Sequence, residues 1–300
     1  MKRALATALP LEPKAGEAIA DYFELCKPRV VAMVLLTTLV GFYLGGGGRL
    51  ELLRALELLA GTALAAGGTL ALNEYIERET DGLMRRTANR PLPARRLRPS
   101  HALYFGVLAA VGGLVFLGST AGIWCAVLTG SITVLYLFAY TPLKRVSWVS
   151  HWVGAVPGAL PPVAGWAAGG DWFRAEPWML FALMFFWQLP HSLAVASLYQ
   201  DDYAAAGLHL MPAPGPGRPY INALILIESF CLVAAGVVPV WFGIGGLPLG
   251  AAGLLGGSAM FYYALELALQ GRSASAGRSL LLCSLVYLPV WFLLFVLDRA

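Results

Sequence analysis

Apolar runs of bilayer length, separated by short polar breaks, set the pattern of this chain. A helix needs roughly 20 mostly apolar residues to cross a hydrocarbon layer. Nine stretches meet that requirement, at about 30–47, 53–72, 101–118, 122–141, 148–168, 177–198, 220–243, 247–269 and 279–297. Several carry proline, among them Pro157, Pro161, Pro162 and Pro190. Membrane helices tolerate proline because their neighbours re-satisfy the freed backbone groups. The small-residue runs Ala63–Gly68 and Gly253–Gly257 predict close helix–helix approach. The pattern predicts an all-α, polytopic membrane protein, with residues 1–300 forming a single membrane-embedded domain.

Composition strengthens this reading. Hydrophobic residues make up 58% of the 300-residue chain and charged residues only 13%, against about 25% charged in ordinary soluble domains. A soluble fold this apolar could not cover itself with polar surface, whereas lipid accepts apolar side chains. No cleaved secretory signal is expected, because about 28 mixed residues precede the first apolar run and no small-residue cleavage site adjoins it. Cys26, Cys125, Cys231 and Cys283 are scattered, which argues against a zinc site or a disulfide framework. No nucleic-acid partner is expected.

The net charge of +4 matters less than its distribution. With the N-terminus placed in the cytoplasm, Lys2, Arg3, Lys14, Lys27 and Arg29 precede the first span. Arg78, Arg85, Arg86, Arg90, Arg95, Arg96 and Arg98 follow the second. Lys144, Arg145, Arg218, Arg272 and Arg278 complete a cytoplasmic set of 17 of the 21 basic residues. Arg49, Arg54, Arg174 and Arg299 fall on the far side. Basic residues favour the cytoplasmic side, so this asymmetry supports both the span count and the orientation.

Two connections are long and polar, 73–100 and 199–219, and both fall on the cytoplasmic side. In the first, Asn73, Glu77 and Asp81 recur every four residues, which on a helix makes one oxygen-bearing stripe at the end of the second span. Such a row suits Mg²⁺, a hard cation commonly shared with substrate phosphates. The arginines that follow suit a phosphate or carboxylate group. A solvated loop that only fixes topology is the plainer reading of the same residues. The second loop carries Asp201 and Asp202 followed by Tyr203. Two acidic clusters, each at a span end, hint at pseudo-repetition.

Inside the sixth span lies Trp187-Gln188-Leu-Pro190-His191. Polar residues at that depth are costly unless they face the protein interior. His191 therefore reads as a haem contact, a proton carrier or a satisfied core histidine. His151 has only Ser147 and Ser150 as polar sequence neighbours, which favours a structural role. Glu228 and Glu266 are the main acids within spans and read as satisfied interior groups.

The stripe and its surroundings resemble the UbiA superfamily of intramembrane prenyltransferases, and within it the branch that prenylates haem. The strings are Lys27-Pro28-Arg29-Val30; Asn73…Asp81…Met84-Arg-Arg86-Thr87…Arg90-Pro91-Leu92; and Tyr140-Thr141…Leu143-Lys144-Arg145. After these come Gly158-Ala159…Pro161-Pro162…Gly165-Trp166; Trp187-Gln188…Pro190-His191; and Asp202-Tyr203…Ala206-Gly207…Met211-Pro212. They occur in family order. Glu77 stands where that family usually has Asp, Ser147 and Ser150 where the haem branch often has Thr and Asn, and Ser192 where an aromatic is usual. The Ala-Pro-Gly-Pro-Gly after Met211-Pro212 also departs from the pattern.

The resemblance implies nine transmembrane helices around a central cavity, closed at its polar end by a cytoplasmic cap of the two long loops. It implies transfer of a farnesyl group from farnesyl diphosphate to a vinyl group of haem b, with water addition, giving haem O and diphosphate. Asn73, Glu77 and Asp81 are expected to hold one Mg²⁺, and Asp201 and Asp202 a second. Arg86, Arg90, Lys144 and Arg145 are expected around the diphosphate, with His191 and Tyr203 as further substrate contacts. The expected location is a bacterial cytoplasmic membrane, with a downstream haem-modifying enzyme or terminal oxidase assembly as a protein partner. An aromatic acceptor on the same fold, a transporter and a structural subunit are the rival readings. Acids clustered at span ends, rather than deep in several spans, disfavour the transporter.

Overall fold

The computed structural model describes residues 15–209, 218–270 and 273–298. The Met211-Pro212 string and its Pro/Gly continuation lie outside the described residues, as do Lys2, Arg3, Lys14, Arg272 and Arg299. A short helix, α1 (Ala15–Leu25), precedes α2 (Pro28–Gly45), α3 (Leu52–Asp81) and α4 (Pro99–Thr120). Next comes α5 (Ile123–Val134), which continues through a π-helical turn (Leu135–Tyr140) into α6 (Thr141–Leu143). Then follow α7 (Ser150–Ala159), α8 (Pro161–Gly169), α9 (Ala175–Leu198) and α10 (Gln200–Ala205). The chain closes with α11 (Arg218–Trp241), α12 (Leu247–Leu269) and α13 (Ala274–Leu297). Among the described residues eight helical stretches are long and apolar enough to cross a membrane. The predicted span 148–168 forms the pair α7 and α8, broken at Leu160 ahead of Pro161 and Pro162. Leu160 keeps helical dihedrals, but Pro161 and Pro162 have no N–H to donate to the preceding turn, so the hydrogen-bond ladder breaks there.

Glycine seams set the helix spacing. A Cβ on Gly113 would lie 2.8 Å from the Gly61 carbonyl oxygen, and one on Gly68 would lie 2.7 Å from the Gly106 carbonyl oxygen. Hence α3 and α4 meet backbone to backbone. The largest core joins α2, α8, α9, α11, α12 and α13 through side chains such as Leu180, Ile225, Leu232, Trp291 and Phe295. Buried Trp291 keeps its indole N–H satisfied by donating to the Gly236 carbonyl at 3.0 Å. Outward apolar side chains such as Leu108, Val115, Leu255 and Val286 are left open, as an integral membrane protein facing lipid requires.

Helix α3 is the element that positions the site. Its 30 residues span about 45 Å at 1.5 Å each, well beyond the ~30 Å apolar layer. Its last turns therefore reach the polar zone while remaining helical, so the first nine residues of the predicted 73–100 loop are helix.

Candidate active site

A cavity of about 580 Å³ runs between the helices. Thr62, Ala66, Thr69 and Leu70 of α3 line it. Asn73, Glu77 and Asp81 carry that helix face on toward the polar end, and all three are buried. The predicted stripe thus continues, toward the polar end, the face of α3 that lines the cavity.

Each member of the stripe meets a cation from a different segment. Lys27 Nζ donates to Asn73 Oδ1 at 2.8 Å. Lys144 pairs with the Glu77 carboxylate. Arg90 Nη1 donates to Asp81 Oδ2 at 2.7 Å. Lys27 is aimed there by a left-handed backbone (φ 52°) where α1 ends, with Pro28 opening α2. Arg90 is held by the loop after α3, whose Thr87 hydroxyl donates to the Asp81 carbonyl at 2.7 Å. Burial, with Arg90 next in effect, pushes the Lys27 ammonium down to about 8, partly opposed by Asp81, Glu74 and Glu77. Lys27 was not among the predicted site residues, although the Lys27-Pro28 string carried the family resemblance.

The π-helical turn contributes the opposite wall. The Thr141 hydroxyl donates to the Tyr136 carbonyl at 2.8 Å, covering a backbone group, while Asn73 Nδ2 donates to Thr141 Oγ1 at 3.0 Å. Such π turns favour functional sites because they re-aim side chains. Here Tyr136 and Tyr140 both line the cavity.

The predicted cap takes shape from the segment after α3 and from the start of the second loop. Arg86 Nη2 donates to Tyr203 Oη at 3.2 Å, and its guanidinium lies 4.8 Å from the Tyr199 ring centroid. Burial pushes the Tyr203 phenol up. The His209 amide donates to the Lys144 carbonyl at 2.9 Å, which ties the second loop to the segment carrying Lys144. Arg145 is turned outward and donates to the Ile76 carbonyl at 3.3 Å. Asp201 is exposed and Asp202 half-buried on α10. Among the described residues no three His, Cys, Asp or Glu side chains gather closely enough to hold an ion, so the two acidic sets do not form one cluster here.

On the cavity wall, His191 stacks on Trp187 with ring centroids 4.7 Å apart. Its Nδ1 is 2.7 Å from Ser284 Oγ, and Ser284 in turn donates to the Leu281 carbonyl at 2.6 Å. That chain makes His191 Nδ1 the donor and leaves Nε2 with a lone pair. His151 differs from its sequence reading, since its Nδ1 lies 2.8 Å from Ser192 Oγ and its Nε2 3.5 Å from Glu228 Oε2, both far along the chain. Glu74, beside Asn73, is fully buried with neither carboxylate oxygen hydrogen-bonded.

Hard oxygen donors faced by cations, beside an apolar cavity between membrane-length helices, are the arrangement expected of a membrane-embedded prenyltransferase. The profile of the UbiA prenyltransferase family matches residues 34–295, and the chain belongs to that family. It is 39% identical over 288 residues to the protoheme IX farnesyltransferase of Solibacter usitatus, covering 93% of this chain and 98% of that protein. It is 36% identical over 297 residues to the protein of the same name from Koribacter versatilis, covering 96% of each. A digeranylgeranylglyceryl phosphate synthase shares the fold at a TM-score of 0.76 and 14% identity, covering 94% of this chain and 99% of that one. A UbiA homologue from Archaeoglobus fulgidus, bound to GPP and Mg²⁺, superposes at a TM-score of 0.62 and 16% identity over 92% of this chain and 99% of that one.

Proposed function

We propose that this protein transfers the farnesyl group of farnesyl diphosphate to a vinyl group of haem b, with addition of water, to give haem O and diphosphate. The observation that carries the reading is the polar continuation of the cavity-lining face of α3, where Lys27, Lys144 and Arg90 face the oxygens of Asn73, Glu77 and Asp81. The same cavity is lined by His191. The two protoheme IX farnesyltransferases, similar over nearly their whole length, support the acceptor and the donor.

The donor set fits Mg²⁺, because two carboxylates and an amide oxygen are hard ligands already directed at cations. Asn73, Glu77 and Asp81 would hold one ion, and Asp201 and Asp202 would hold a second. Mg²⁺ held there would supply positive charge to offset that of the leaving diphosphate. The chain's own part is complementary. Lys27, Lys144, Arg90 and Arg86 hold phosphate oxygens as the allylic C–O bond ionises, and Arg145 reaches the outer edge. This is charge stabilisation by preplaced groups. Tyr136 and Tyr140 present rings to the allylic carbon and keep bulk water away, and Tyr203 closes the polar end. The haem vinyl group then attacks the allylic carbon, and water captures the cation left beside the porphyrin. His191, with Nδ1 engaged by Ser284, offers Nε2 toward the haem. The isoprenoid lies among the apolar residues of the cavity.

The protein acts as one domain in a bacterial cytoplasmic membrane, with its N-terminus and cap in the cytoplasm. A haem-modifying enzyme or terminal oxidase assembly receives its product. The test is a mass spectrum of haems from a host lacking its own enzyme. A haem heavier than haem b by one farnesyl group plus water is the expected product. Only haem b from well-inserted protein would move the acceptor to an aromatic ring.

A further inference from the structure

Ser192, His151 and Glu228 form a continuous polar chain from the cavity into the helix bundle. Ser192 and His151 both line the cavity. Ser192 Oγ is 2.8 Å from His151 Nδ1, nearer than the Leu189 carbonyl at 3.1 Å that its hydroxyl also reaches, whereas Ser284 sits nearer its carbonyl than His191; His151 Nε2 is 3.5 Å from Glu228 Oε2. The other Glu228 oxygen accepts from Trp152 Nε1 at 2.6 Å. The imidazole and the carboxylate are 6% and 5% exposed, and neither His151 Nε2 nor Glu228 Oε2 has a hydrogen-bond partner. A carboxylate within a membrane span is costly and is kept where it has a task. Nothing in the chemistry of the stripe uses this one.

We infer that Ser192, His151 and Glu228 are the proton acceptor for the water that ends the reaction. The inference rests on the farnesyl-transfer reading above. Water adds to the cation beside the porphyrin, a C–O bond forms, and the resulting oxonium must lose one proton. The Ser192 hydroxyl takes that proton while passing its own to His151 Nδ1, and the imidazolium so formed is held by the Glu228 carboxylate. No bond or electron is left unbalanced. The arrangement follows the hydroxyl–imidazole–carboxylate logic of hydrolases, used here to deprotonate water. Among the described residues lining the cavity, His151 is the imidazole backed by a carboxylate, whereas His191 has only the Ser284 hydroxyl behind it. Both His151 nitrogens are directed at protein groups, which suits a proton path better than an iron ligand. Glu228 is a positioning residue, since it acts through His151.

Product partition tests this. A cation not captured by water loses a proton from carbon and gives a farnesylated haem one water lighter. Haems from cells expressing the full-length chain are separated by mass for the parent, Ser192→Ala, His151→Phe, Glu228→Gln and Glu228→Asp. The lighter product should rise at least tenfold relative to the hydrated one in His151→Phe and Glu228→Gln, and less in Ser192→Ala. Glu228→Asp should restore part of the parent ratio. A purely structural role would lower both products together. An unchanged ratio in Ser192→Ala and Glu228→Gln, both nearly isosteric, overturns the proposal. Failure of the farnesyl-transfer reading is distinguishable, because it appears in the parent chain as the absence of any farnesylated haem.

Discussion

Asp81 Oδ2 and Arg90 Nη1 lie 2.7 Å apart, the carboxylate nearly sealed at 2% exposure and the guanidinium part-open at 26%. The pair joins the end of α3 to the loop that follows it, so one contact both anchors the cap and holds the arginine at the stripe. Asp81→Asn keeps the shape and removes the charge. It should lower kcat/KM by roughly 10²–10³-fold, the usual effect of losing one preplaced electrostatic group. Asp81→Ala and Asp202→Ala should abolish turnover in protein that still inserts. Near-normal rates in both would remove the metal-cage argument. Arg90→Lys retains charge but loses the planar fork, and should raise KM for the prenyl diphosphate.

Lys27 supplies a pH signature. Burial, with Arg90 adding to it, holds this ammonium down at about 8. The side chain is therefore charged below pH 8 and loses its proton as the pH rises through that value, well before an ordinary lysine does. Its hold on an anionic leaving group is lost in the same window, so kcat/KM should fall on an alkaline limb near pH 8. Lys27→Arg stays charged throughout and should lack that limb. An identical alkaline limb in the variant would assign the titration to another group.

Metal removal should cost activity and spare the fold. Asn73, Glu77 and Asp81 are each met by a cation of the chain itself, so the stripe is not left as uncompensated buried charge when the ion is gone. Excess chelator should stop diphosphate release while the thermal unfolding midpoint stays close to that of the Mg²⁺-loaded protein. Undiminished turnover in chelator would contradict the chemistry. A collapse of the midpoint would mean instead that the cations do not balance the stripe.

Much of this was legible in the sequence, because bilayer-length apolar runs and an i, i+4, i+8 row are local patterns. The row Asn73, Glu77 and Asp81 needed only the helix to continue, and α3 does so. What escaped was whatever depends on contacts between distant segments. Lys27 reads as a topology-setting charge until α2 places it against Asn73. His151 reads as a structural histidine because Glu228 lies far along the chain, on α11. The signal available for that pair was Glu228 itself, an acid within an apolar span. The 148–168 span was legible in length but not in continuity, and its proline pair was the sign of the break at Leu160.

Two adjacent glycines on α4 provide a stability test of the packing. A Cβ on Gly113 would come within 2.8 Å of the Gly61 carbonyl oxygen and 2.9 Å of Ala65 Cα, both backbone atoms of α3 that cannot swing aside. A Cβ on Gly112 meets nothing within 4 Å. Gly113→Ala should force α3 and α4 apart and destabilise the protein by about 1–3 kcal/mol, the usual range for overpacking. Gly112→Ala adds a better helix former at an open position, and should be neutral or stabilising by up to about 1 kcal/mol. Thermal or denaturant unfolding in one detergent, compared between the two variants, reads the difference directly. The same methyl group one residue apart should act with opposite sign, and equal effects would mean that α3 and α4 do not meet along this seam.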